Sequence, residues 1–266
     1  MTPQQRRDWE EKGFFFLRGN LSPSLCGDVE EEVIGRIRSD PPANHAGETA
    51  YMSGANYFIF PESTPSPVAA RPEDYISKVF NCHAEGLARQ IAERGEIAAL
   101  VADILGSDID CFQSQFIFKN PGVIGQPWHQ DSYYFNFDKQ PQVGVWVALS
   151  RATLENGCLW VAPGSHRSMK IFEHVPDRRP EANHGYLEIV DQDTSNQIPV
   201  LMEPGDVLFF HSYLIHRSTD NIADERRAAM VYHYGQADTK PVTPERARAL
   251  SFVNRWIPVG RASQPA

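Results

Sequence analysis

Hydrophobic and polar positions divide the chain into a helix-patterned first part and a strand-patterned second part. Thr2 followed by Pro3 is a cap and first-turn signature that predicts a helix from Thr2 to Lys12. Leu21-Ser22-Pro23 opens a second helix, along which Val29, Val33, Ile34 and Ile37 recur at helical spacing. On this pattern roughly the first forty residues read as helical. A Pro- and Gly-rich stretch from Pro41 to Pro67 then surrounds a short apolar run, Tyr57-Phe58-Ile59-Phe60, which fits a strand. Helix is expected again from Ile76 to about Leu105, with Leu87, Ile91, Ile97, Leu100, Val101 and Ile104 as its buried stripe.

Beyond Asp110 the period changes. Phe112 to Phe118, Val143 to Leu149, Leu159 to Ala162, Val200-Leu201, Val207 to Phe210 and Ala228 to Tyr234 are short apolar or alternating runs. Turn residues separate them, as at Asn120-Pro121-Gly122, Asn156-Gly157, Pro163-Gly164-Ser165 and Glu203-Pro204-Gly205-Asp206. Helices first and strands after predict an α+β fold with an antiparallel sandwich or jelly roll as its core. With no internal repeat and no Gly/Ser-rich linker, residues 1–266 read as one domain. Its parts are a helical region over about 1–105, a β core over about 110–240 and a tail over 241–266, frayed after Gly260. The long polar stretch from Arg167 to Gln197 interrupts the strands and is a lid candidate.

Composition narrows the possible partners. A formal net charge of -9 speaks against nucleic acid, whose phosphates need a basic surface. No apolar run could span a bilayer, and the opening segment Met1 to Gly13 lacks the apolar core of a signal peptide. Cys26, Cys82, Cys111 and Cys158 are scattered with no CxxC pair and read as free thiols. A cytoplasmic protein acting on a small molecule is expected, and its oligomeric state is not legible.

The candidate chemistry centres on His129-Gln130-Asp131. Ligand-type side chains one residue apart share a face of a β-strand, because side chains alternate. A second, distant histidine would complete two imidazoles and one carboxylate, the ligand set of non-haem Fe(II) oxygenases. His211 and His216 compete for that place and, five residues apart, would face opposite sides of a regular strand. His216 is preferred, since Arg227 lies eleven residues beyond it, a distance that suits strand, turn and return strand. Arg227 would then aim a permanent bidentate charge into the cavity, as a dicarboxylate co-substrate requires. Ser218, two residues past His216, lies on the same strand face. His166 reads as a turn residue, and His45, His83, His174, His184 and His233 lack ligand spacing and default to solvent or core.

Pro127-Trp128-His129-Gln130-Asp131, Leu154-Glu155-Asn156-Gly157-Cys158-Leu159-Trp160, Pro163-Gly164-Ser165-His166, and Gly205-Asp206 leading to Leu214-Ile215-His216 resemble the phytanoyl-CoA dioxygenase family. The likeness is greatest to its domain-containing branch and runs from Gly13-Phe14-Phe15 to Arg227. Tyr75-Ile76-Ser77-Lys78 and Gln113-Ser114 with Ile117-Phe118-Lys119 extend it. The resemblance implies a double-stranded β-helix (a cupin-like jelly roll) with N-terminal helices packed on one sheet. It implies Fe(II) held by His129, Asp131 and His216, with O2 as oxidant. It also implies 2-oxoglutarate contacts from Arg227, Ser218, Lys78, Trp146 and Gln115, where Gln115 replaces a methionine often found there. Retention of Asp131 points to hydroxylation, since halide-transferring relatives lose this carboxylate.

Read from the residues alone, Lys78 is a solvated helix residue, Lys119 a turn residue and Trp146 a core aromatic. Tyr57, Phe58, Tyr133, Tyr134, Phe135 and the loop Arg167 to Gly185 are expected to line the substrate pocket, with Lys170, Arg178 and Arg179 on the lid as basic groups. Two alternatives remain. One is a metal-binding jelly roll without turnover; the other is a cupin-type metal enzyme that does not use 2-oxoglutarate.

Overall fold

The computed structural model describes residues 1–42, 50–106, 108–183 and 185–260. His45, His184 and the tail after Gly260 lie outside these residues. The first part of the chain forms α1 (Pro3–Lys12), β1 (Phe14–Leu17), α2 (Pro23–Ser39), β2 (Tyr51–Ser53), β3 (Tyr57–Pro61), β4 (Ile76–Phe80), α3 (Gly86–Ala92) and α4 (Gly95–Leu105). Then come β5 (Ile109–Lys119), α5 (Asp131–Phe135), β6 (Val143–Ala148), β7 (Leu159–Val161), β8 (His174–Pro176) and β9 (Leu187–Ile189). The chain closes with β10 (Ile198–Val200), β11 (Val207–His211), β12 (His216–Ser218), β13 (Arg227–Gln236), α6 (Pro244–Leu250) and β14 (Ile257–Gly260).

The helix starts follow the capping chemistry. Thr2 Oγ1 accepts from the Gln5 amide at 3.2 Å while the Gln5 side chain accepts from the Thr2 amide at 2.8 Å. This reciprocal box satisfies two amides that the first turn leaves without partners. Ser22 caps α2 from one side only, its hydroxyl accepting from Leu25 N at 3.2 Å.

Two stretches read as helical are strands. Phe14–Leu17 pairs with β11 as an edge of the main sheet. Gly13, left-handed at φ +86°, ends α1 and turns the chain into β1, and the His166 ring occupies the space a Cβ would need. Ile76–Phe80 pairs with β3 on one side and β5 on the other, so Lys78 stands on a strand and not on a solvated helix. Both corrections have one cause: pairing across the sheet overrides a weak local preference.

The main sheet is antiparallel in the order β1-β11-β6-β13-β5-β4-β3-β2, with β14 added to β5. Its outer face carries Phe116, Val145, Val147, Met230 and Tyr232 against Val29, Val33, Ile37, Ile91 and Val101 of the helices. Tyr232 and Tyr234 donate to the carbonyls of Ala88 and Ala92 at 2.9 and 3.0 Å, fixing α3 to β13. The inner face, with Trp146, Leu208, Phe210 and Val231, packs on Val161 and Val200 of the smaller sheet β10-β7-β12 and on Met202 just beyond it. This is the expected α+β jelly roll with N-terminal helices on one sheet.

The stretch from Arg167 to Gln197 is not a plain loop: it holds the hairpin β8-β9, tied back by Ile189 N to Trp128 O at 2.7 Å. Residues 244–260 are likewise not a bare tail, since α6 and β14 return to the sheet. All four cysteines are buried and free. Among the described residues no helix is long and apolar enough to cross a membrane.

Candidate active site

On β13 the side chains alternate between Ala228, Met230 and Tyr232 outward and Arg227, Ala229, Val231 and His233 inward. The inward set faces the candidate chemistry. His216, the first residue of β12, exchanges backbone hydrogen bonds with His129 at 2.9 and 3.1 Å, which sets the two imidazoles side by side. Asp131 does not share a strand face with His129 as expected; it opens α5. The buried Gln130 between them holds this bend. Its amide donates to Tyr213 O at 2.8 Å and Lys170 O at 3.0 Å and accepts from Phe172 N at 2.9 Å. His211 lies elsewhere, packed against Trp9 and His166.

Hydrogen bonding sets the tautomers. His129 Nδ1 lies 2.8 Å from Pro127 O, and His216 Nδ1 lies 2.9 Å from Leu214 O. A carbonyl only accepts, so each Nδ1 carries the proton and each Nε2 keeps its lone pair. Both Nε2 atoms are 3.7 Å from Asp131 Oδ1, and the ligand atoms of the three residues lie within 4.8 Å of one another. Two imidazole lone pairs and a carboxylate converging on one point fit a divalent transition metal. Burial, then the neighbouring His216, holds His129 well below the usual histidine range. Burial alone would raise the Asp131 carboxyl, but the surrounding histidines, His216 first, outweigh it and keep it ionised.

These groups open into a cavity of about 230 Å³ that also takes in Arg227, Ser218, Lys78, Trp146 and Gln115. Arg227 is 1% exposed, and its Nη2 donates to Gly157 O at 3.0 Å. Its Nε and Nη1 are buried without a partner, as are Trp146 Nε1 and Gln115 Oε1. Among the described residues no carboxylate pairs with Arg227, whose guanidinium burial pushes down to about 10. An uncompensated buried cation with unused donors is a strong demand for an anion. Ser218 Oγ accepts from Lys119 Nζ at 3.1 Å and Gln126 N at 3.0 Å, so its own proton is left to donate into the cavity. Lys78 Nζ donates to Gln126 Oε1 at 3.1 Å and is pushed down to about 8, chiefly by burial.

Other expectations are corrected here. Lys119 is no turn residue: at the end of β5 it is buried and donates to Ile124 O and Thr219 O as well as Ser218. Of the expected pocket walls, Tyr134, Phe135 and Gly185 line the cavity, whereas Tyr57, Phe58 and Tyr133 do not. Tyr57 faces the outer core, Phe58 stacks on Phe252, and Tyr133 stacks on His174. Phe60, Phe80, Tyr186, Leu250 and Val253 line it instead. His233, given no role by spacing, reaches Asp131 Oδ2 at 3.0 Å. Its even distance from Arg227 along one strand was the available signal. His166 does lie in a turn, the short 3-10 helix Ser165–Ser168, where its carbonyl accepts from Met169 N at 2.9 Å, and its buried ring packs against Gly13 and His211. Arg179 is engaged with Asp177 and Gly125 O.

The fold is an antiparallel jelly roll, and His129, Asp131 and His216 form a candidate metal site beside its buried cationic cavity. The chain belongs to the phytanoyl-CoA dioxygenase family, whose profile (described as phytanoyl-CoA dioxygenase) matches residues 9–229. It is 35% identical over 248 residues to a "Probable phytanoyl-CoA dioxygenase" of Caenorhabditis elegans, covering 90% of this chain and 76% of that protein. It is 26% identical over 274 residues to "Phytanoyl-CoA dioxygenase domain-containing protein 1" of Danio rerio, covering 92% and 94%. The solved epimerase SnoN, in complex with Fe3+, α-ketoglutarate and nogalamycin RO, superposes with a TM-score of 0.61. That likeness, at 20% identity over 89% of this chain and 84% of the other, is one of fold.

Proposed function

We propose that residues 1–266 act as one cytoplasmic Fe(II)- and 2-oxoglutarate-dependent dioxygenase domain that hydroxylates a small molecule. His129, Asp131 and His216 would hold the iron; Arg227, Ser218, Lys78, Trp146 and Gln115 would hold the co-substrate. The observation that carries this reading is the buried Arg227 guanidinium, lacking an anion, in the same cavity as the ligand triad. Family membership and the iron and α-ketoglutarate named for SnoN support the choice of metal and co-substrate. A metal-binding module without turnover has no use for an anion clamp of this kind, and the same holds for a cupin-type metal enzyme that does without 2-oxoglutarate.

When bound, iron with 2-oxoglutarate and O2 supplies oxidation of a C–H bond, with release of succinate and CO2. The chain's own residues orient and insulate that chemistry. Arg227 pairs with the distal carboxylate, Ser218 adds a hydrogen bond, and the Trp146 indole N–H offers a third donor. The carbonyls of Pro127 and Leu214 hold both imidazoles in the ligating tautomer. Asp131 would supply the iron with the carboxylate that halide-transferring relatives lack, which favours hydroxylation.

Anaerobically purified protein given Fe(II), 2-oxoglutarate and O2 is expected to form succinate, more so with a matching small molecule. Arg227→Ala should weaken 2-oxoglutarate binding by roughly a hundredfold or more, the scale of a broken buried ion pair. Its iron binding should stay intact. No succinate across a broad metabolite panel, or loss of iron together with 2-oxoglutarate in Arg227→Ala, overturns the reading.

A further inference from the structure

The cavity is chemically two-ended, and the strand register sets the order. Arg227 pairs with Lys119 at one end of the β13–β5 ladder, Val231 with Gln115 further along, and His233 with Gln113 beyond that, just before the register shifts. On β4 Lys78 stands beside Ile117, near the charged end, and Phe80 beside Gln115, one inward step further along. Glu62, just past the end of β3, belongs with Lys78 and Lys119. Charge therefore gathers at the Arg227 end. Around His233, which packs on Phe135, the wall is formed by Tyr134, Phe135, Leu250 and Val253, with Phe80 one step back on β4 and the Gln113 amide turned to Asn254.

Leu250 and Val253 come from a segment beyond residues 9–229, the part matched by the family profile. That segment is firmly seated. Arg255 N donates to Phe112 O at 2.7 Å, Asn81 Nδ2 to Phe252 O at 2.8 Å, and Gln113 Nε2 to Asn254 Oδ1 at 2.9 Å. Trp256 stacks on Phe112, and Leu250 packs on the Phe112–Phe135 cluster. The wall is thus fixed, and its side chains are small enough to be exchanged.

We propose that this end of the cavity seats the reacting part of the prime substrate, that this part is an uncharged aliphatic or aromatic group, and that Leu250 and Val253 set its size. The proposal rests on the reading of the Arg227 end as the co-substrate seat. A charged group among these side chains would find no free counter-ion, since Asp131 is already engaged by His233 and faces the two imidazoles, whereas an apolar group loses only water.

Fluorobenzene serves as the probe, observed by 19F relaxation with protein loaded with Mn(II) or with diamagnetic Zn(II). Wild type is expected to bind it, with extra relaxation in the Mn(II) form that places it beside the metal. Leu250→Trp should weaken that binding at least tenfold. The double variant Leu250→Ala with Val253→Ala should instead admit 1-fluoronaphthalene, which wild type excludes. Calorimetric affinity for 2-oxoglutarate should stay within twofold in every variant, which also reports that each is folded. Fluorobenzene that fails to bind wild type, or is indifferent to all three side-chain changes, overturns the proposal. Failure of wild type to bind 2-oxoglutarate, with the fluorobenzene results as expected, overturns only the co-substrate reading.

Discussion

His233 Nε2 lies 3.0 Å from Asp131 Oδ2, while Oδ1 of the same carboxylate faces the Nε2 atoms of His129 and His216 at 3.7 Å each. An ionised carboxylate only accepts, so His233 donates. The bond fixes which oxygen turns toward the imidazoles. His233 is itself held rigidly, 1% exposed and packed edge-on against the Phe135 ring at 4.8 Å.

Removing this donor should loosen the carboxylate without unfolding the barrel. His233→Phe keeps an aromatic ring among Phe112, Phe135 and Phe210 but leaves Asp131 Oδ2 without its partner. The expected loss of metal affinity is about 10- to 100-fold, as for other residues that orient a ligand. Titration of the variant with Co(II), followed by its visible absorption, measures it. His233→Gln, which retains a donor, should recover part of the loss. Unchanged Co(II) affinity in His233→Phe would mean that α5 alone positions Asp131.

Gly125 supports the co-substrate wall in a different way. A Cβ there would fall inside contact distance of the Ser218 carbonyl and of the Thr219 carbonyl carbon, all of them backbone atoms. Ser218 is tied to the same strip, its amide donating to Gln126 O at 3.0 Å and its hydroxyl accepting from Gln126 N at 3.0 Å. Gly125→Ala must therefore push the end of β12 away from residue 126. A stability loss of roughly 1–3 kcal/mol is expected, the range for overpacking a closed site. Affinity for 2-oxoglutarate should fall with it, while metal affinity changes little because His216 lies two residues further back. Calorimetry with 2-oxoglutarate and denaturant melts test both halves; normal affinity would remove Ser218 from the wall.

What the sequence revealed depended on how local each cause is. Thr2 and Ser22 act on amides three residues away, and the apolar run Ala228 to Tyr234 reports a strand buried on both faces, so α1, α2 and β13 were legible. Phe14–Leu17 was not, because four apolar residues in a row carry no period and become a strand only through β11. His129 and Asp131 were legible through their spacing although the strand assumed for them bends into α5. His233 was hidden because its spacing is to Arg227, on its own strand, while its partner Asp131 lies 102 residues away. Leu250 and Val253 were hidden for the same reason: a return of the chain across Phe112 makes them cavity walls, and no local pattern announces it.

Away from the cavity, His83 makes stability depend on pH. It is fully buried, with Nδ1 2.7 Å from Ser114 Oγ and Nε2 2.7 Å from the Arg255 carbonyl. The neutral ring satisfies both neighbours, accepting from the serine hydroxyl and donating to the carbonyl. Burial pushes this histidine down to about 4 in the folded protein. The unfolded chain protonates it near pH 6.5, so between about 6.5 and 4 the unfolded state binds the extra proton. His83 therefore contributes full stability above pH 6.5 and loses it as the pH falls through that window, at about 1.4 kcal/mol per pH unit. His211, pushed down to about 3 by burial and then by His166, adds to the same slope. His83→Gln should be less stable than wild type at pH 7 but lose less on acidification, so the two curves converge toward pH 4. Urea midpoints from pH 7.5 to 4 measure this, and parallel curves would show that His83 does not titrate on unfolding.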